Sequence, residues 1–138
     1  MKKLEWLESF ELRVPEIDGD HRAILDLMKA VRTAAERGNR ARVEHYLDRL
    51  FVLCRDHFER EEALMQRFHY PEAEIHASYH ARLLDRAQAV RRACAEIESA
   101  EAFEECCEEL MTFLVDDVVR GDMKLKSFLE DAGLTIPA

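Results

Sequence analysis

Apolar residues return at alternating steps of three and four along this chain, in four long runs, and every run admits polar residues near one end. The first run, residues 18–37, carries His21, Ile24, Met28, Val31 and Ala35 on one stripe. The second, 40–67, carries Leu50, Cys54, His57, Glu61 and Leu64. The third, 72–97, carries His76, His80, Leu83, Ala87, Val90 and Cys94, and the fourth, 100–131, carries Phe103, Cys107, Leu110, Leu114 and Asp117. This period marks the buried face of an amphipathic helix. Punctuation agrees: Gly38-Asn39 stops the first run, Pro71 disfavours helix just before it, Ser99 is placed to cap the fourth and Gly133 lies past its end. No strand-like alternation competes. Four helices with short connections predict an all-α fold, an up-down-up-down antiparallel four-helix bundle. Residues 1–138 then form a single domain, with 1–17 as an N-terminal arm carrying the only tryptophan, Trp6.

The polar positions share a logic. They open the stripe in the first and third helices and close it in the second and fourth, where Asp117 is joined by nearby Asp122. Antiparallel packing brings all of them to one end of the bundle. An unpaired charge in a core costs several kcal/mol or more, so such groups must be paired or bound to metal. Four histidines and three carboxylates are too many for one tetrahedral zinc. They suit two transition-metal ions sharing bridging carboxylates, in a nitrogen and oxygen set compatible with iron. A single HxxxE or HxxxH on a helix is mostly a surface pair; the weight lies in their joint occurrence at one level.

Composition narrows the class. With 138 residues, 4 Gly, 3 Pro, 36% charged and 48% apolar residues, the chain suits one helical domain with charged outer faces. A net charge of −9 argues against nucleic acid or an anionic membrane as partner. No apolar run is long enough to span a bilayer, and the basic start is followed by acidic residues rather than a signal-peptide core, so the expected compartment is the cytoplasm. Cys54, Cys94, Cys106 and Cys107 form no CxxC pattern and are expected to be free thiols on apolar faces.

The segments "IDGDH" (17–21), "HFEREEALM" (57–65), "HASYH" (76–80) and "FLVDDVVRGD" (113–122) resemble, in order and spacing, the motifs of hemerythrins, most closely bacterial single-domain hemerythrins. Glu5-Trp6 and "VPEID" (14–18) are similar to the arm of those proteins. The resemblance covers nearly the whole chain. It implies a four-helix bundle around a non-haem di-iron centre that binds dioxygen reversibly. His76 and His80 would ligate one iron and His21 and His57 the other, with Glu61 and Asp122 bridging. The His21/His57 iron would keep the open position for oxygen, under an apolar wall that includes Leu114 and Val118.

One position departs from the pattern. The last motif, HxxxxD in the family, reads Asp117 to Asp122 here. Asp117 is expected to take part at the centre, directly or through water, as a seventh protein ligand. It would add negative charge, stabilise the ferric state and make the centre easier to oxidise; manganese in one position would also suit the carboxylates. Gly121 offers local freedom for that approach. Elsewhere, Ile24, Leu64 and Leu110 read as ordinary core, Phe113 has no assigned function, and His45 and His69 read as surface residues. Glu62 faces outward or orients a ligand histidine.

Three functional classes follow. The first is an oxygen-binding module for storage, delivery or sensing, with dioxygen or another small diatomic or peroxide ligand as partner. The second is a di-iron oxidase, peroxidase or nitric-oxide-handling enzyme using the same centre and an electron donor that the sequence does not identify. The third is a bundle that has lost its metal and serves as an interaction protein.

Overall fold

A computed structural model describes residues 12–119, 122 and 125–136; Glu5, Trp6 and Gly121 lie outside the described residues. The helices are α1 (Pro15–Glu36), α2 (Arg40–Arg67), α3 (Ala73–Ala95), α4 (Ala100–Leu114) and α5 (Lys126–Asp131), with a π-helical turn over Val115–Val119. Helix α1 packs against α2 and α4, and α3 packs against the same two, so the chain forms an all-α four-helix bundle.

The ends follow from local chemistry. Helix α1 starts at Pro15, earlier than its apolar stripe, because proline at the first helical position gives up an N–H that has no partner anyway. The Asp18 carboxylate accepts the Leu12 and Arg13 N–H groups at 2.9 and 3.1 Å, tying down the chain that leads into α1. At the other end Gly38 takes φ +67°, and the Gly38 and Asn39 N–H groups close onto Ala35 and Ala34 carbonyls. Asn39 then accepts from the Arg42 N–H to cap α2, and Ser99 accepts from the Ala102 N–H to cap α4. Helix α2 stops with the same left-handed device, built on His69 at φ +56°, whose neighbour Tyr70 donates to the Met65 carbonyl.

Two expectations are corrected. A single helix over 100–131 does not form: α4 ends at Leu114, and the π turn replaces i→i+4 bonding by i→i+5. The extra residue in that turn re-aims everything after it. Nor are all four cysteines free. Cys94 and Cys106 form a disulfide across the α3–α4 connection, while Cys54 and Cys107 are free and buried. The short connection lays the last turns of α3 beside the first turns of α4, which brings the Cys94 and Cys106 Cα atoms to 5.6 Å. Cys107, one position on, points into the core instead.

Among the described residues the interior is two apolar clusters, not one. The larger fills the bundle with Ile24, Met28, Leu50, Phe58, Leu83, Leu110, Leu114 and their neighbours. The smaller joins Leu12, Val14 and Ile17 to Met65, Leu125 and Leu129. The polar residues of the stripes fall between them: His21 between Ile17 and Ile24, Glu61 between Phe58 and Met65, and Asp122 between Val118 and Leu125. What the stripes place at the end of the bundle is therefore a buried layer, closed above by the start of α1 and by α5.

Candidate metal centre

His21, His57, His80, Glu61 and Asp122 are 0–3% exposed, and His76 is half-buried. Two groups emerge whose ligand atoms lie within 4.8 Å of one another: His21, His57, Glu61 and Asp122, and His76, His80, Glu61 and Asp122. Both contain the same two carboxylates. His21 Nε2 and His57 Nε2 lie 2.6 and 2.7 Å from Asp122 Oδ2. Glu61 offers one oxygen to each side, 3.5 Å from His57 Nε2 and 3.3 Å from His80 Nε2.

The electrostatics of this layer call for cations. Glu61 and Asp122 are both buried and face each other, so they cannot both stay ionised unaided. Burial works to raise the Asp122 pKa, but hydrogen bonds from His21 and His57 outweigh it and hold the carboxyl well below its ordinary range. Burial, then the Asp122 charge, pushes Glu61 well above its own. His57 also resists burial: with Asp122 on one nitrogen and Asp20 on the other its pKa is lifted to about 9. His80 goes the opposite way, pressed to about 3 by burial and by His76, which keeps it neutral with a lone pair to offer. Among the described residues, both Glu61 oxygens, His21 Nδ1 and His80 Nδ1 are buried without a hydrogen bond. Divalent cations between the imidazoles and the shared carboxylates would replace the protons that otherwise hold this layer together. The donor set fits metal ions.

A hemerythrin HHE cation-binding domain matches residues 13–129. The chain belongs to the hemerythrin family. A bacteriohemerythrin of Stenotrophomonas maltophilia (strain R551-3) is 27% identical over 125 residues, covering 88% of this chain and 78% of that protein. Among the described residues no helix is long and apolar enough to cross a membrane.

Around this hemerythrin-type layer lie supports that the sequence did not reveal. Asp20, next to His21 in the chain, turns to His57: its Oδ2 lies 2.9 Å from His57 Nδ1. Arg60 grips the same carboxylate with two hydrogen bonds, at 2.9 and 2.6 Å. A carboxylate on Nδ1–H fixes the tautomer that leaves Nε2 facing the centre. Phe58 stacks on the His80 ring at 3.9 Å and 10°, which sets that ring's plane. Glu62, expected to face outward or orient a ligand histidine, is partly buried with Oε2 3.6 Å from His80 Nδ1, too long for a hydrogen bond. In sequence Asp20 stands beside His21, and nothing there places it against His57, one helix away.

Leu114 and Val118 are fully buried in the larger apolar cluster, and His45 and His69 are exposed. Asp117 was expected at the centre, directly or through water. It belongs to neither ligand group, is half-buried, and its Oδ1 accepts a hydrogen bond from the Tyr79 hydroxyl at 3.3 Å. An aspartate is shorter than a histidine, and here Tyr79 on α3 takes up its carboxylate.

Proposed function

We propose that this hemerythrin-family chain holds two iron ions and binds dioxygen reversibly at that centre. His21 and His57 would hold one iron and His76 and His80 the other, with Glu61 and Asp122 shared. The observation that carries this reading is the pair of four-residue groups with two carboxylates in common. Iron would supply the redox chemistry that reversible oxygen binding needs. The chain supplies the rest. Asp20 orients His57 through Nδ1, Phe58 sets the plane of His80, and the buried Leu114 and Val118 keep water from the oxygen position. Such dry apolar walls would withhold water and its protons from the centre.

The test is the visible spectrum of iron-loaded, reduced protein after a pulse of oxygen. A band that persists and bleaches under argon supports reversible binding. Direct passage to an oxidised spectrum that argon does not reverse contradicts it, and favours the second reading, a di-iron oxidoreductase acting on oxygen, peroxide or nitric oxide. That reading draws on Asp117, which leaves the histidine count on the α3 side at His76 and His80.

A further inference from the structure

The two ligand groups are alike: each has two histidines and the same two carboxylates. Four protein donors leave each metal two short of an octahedral shell; a solvent oxygen shared by both metals would fill one place on each and leave one open. Position 117, where the hemerythrin pattern places a third histidine for the His76/His80 metal, holds an aspartate that the Tyr79 hydroxyl engages. Asp117 instead lines a cavity of about 300 Å³ between α3 and α4, together with Tyr79, Arg82, Leu83, Arg86 and Phe113. Two guanidinium groups border this opening, and that of Arg86 lies 4.7 Å over the Phe113 ring. Against the single Asp117 carboxylate they leave the opening net positive, which favours a small anion, and the Tyr79 ring that lines it lies 6.1 Å from the His76 ring and 6.4 Å from the His80 ring.

The geometry points to a second open coordination position, on the His76/His80 metal, that takes a small anion from the α3–α4 side independently of the His21/His57 metal. This rests on the two-metal reading above. The consequence is a centre that binds exogenous ligands on both metals, not on one.

The full chain loaded with cobalt(II) tests it, with metal counted by elemental analysis and azide followed by the cobalt optical bands. Two metals and two azides per chain are expected for the native sequence. Asp117→His is expected to supply the missing imidazole and leave one azide, with the metal count unchanged. Two metals but a single azide in the native protein would overturn the second position while leaving the two-metal reading intact. Fewer than two metals overturns both. Two azides retained by a two-metal Asp117→His variant would show that the second position is not the one beside residue 117, and the inference fails.

Discussion

His57 shows how much of this site is decided by single residues. Both of its ring nitrogens are committed, Nε2 toward Asp122 and Nδ1 toward Asp20, and Arg60 locks Asp20 from the surface. The arrangement makes Asp20 a positioning residue for one of the two proposed metal positions. Asp20→Ala should weaken metal binding at the His21/His57 position by about 10- to 100-fold, as loss of such a partner commonly does. Asp20→Asn keeps an acceptor for Nδ1–H and should lose less. Competition against a chelator measures both, and equal affinities in all three proteins would deny Asp20 the role. His21, His57, Glu61, His76 and His80 were legible in sequence because each broke an apolar stripe; Asp122 stood off its stripe, and Asp117, which interrupts it, joins neither ligand group. Asp20, Phe58 and Tyr79 were not legible, because their roles depend on what a neighbouring helix presents. The free thiols are inert by the same physics of burial, which drives Cys54 up to about 12 and Cys107 up to about 11.

At the scale of elements, the helices came out close to the apolar rhythm, and the disagreements mark where rhythm stops being informative. Helix α1 extends back to Pro15 because its start is set by proline, not by a stripe. The fourth helix gives way to a π turn at Val115–Val119, between the apolar face of α4 and Asp122. In an uninterrupted α-helix, residues five apart face different directions; the i→i+5 turn lets this segment serve both the core and the metal layer. A period of 3.6 read through that stretch could not show the interruption. The end of α2 carries a different signature. His69 holds a left-handed conformation that glycine adopts without strain, and its side chain is exposed. His69→Gly should therefore stabilise the protein by about 1 kcal/mol, roughly 3 °C in Tm. Thermal unfolding checks it; a lowered Tm would mean that the imidazole contributes more than its backbone strain costs.

At the scale of the molecule, the described residues form two apolar clusters with a polar layer between them. The arm side of α1 and helix α5 close the layer off, so a charged cluster that looked terminal in sequence is interior in the structure. The Cys94–Cys106 disulfide clips α3 to α4 about 20 Å along α3 from His80, at 1.5 Å per residue. A cross-link closing so short a loop stabilises by about 3 kcal/mol in the chain-entropy view. Its pairing was hidden because stripe periodicity places Cys94 and Cys107 in the core, and says nothing of Cys106 on the flank. The bundle and its buried ligand layer were readable from four interrupted stripes; the second cluster was not, since it depends on residues 12–17 packing with the end of α2 and with α5. In the proposed function this layer holds two irons joined through Glu61 and Asp122. Mössbauer spectroscopy of the oxidised full chain, loaded with isotopically enriched iron, tests it most directly. Two irons per chain, giving quadrupole doublets without magnetic splitting at liquid-helium temperature, are expected of a coupled bridged pair. A magnetically split ferric signal, or one iron per chain, would contradict it.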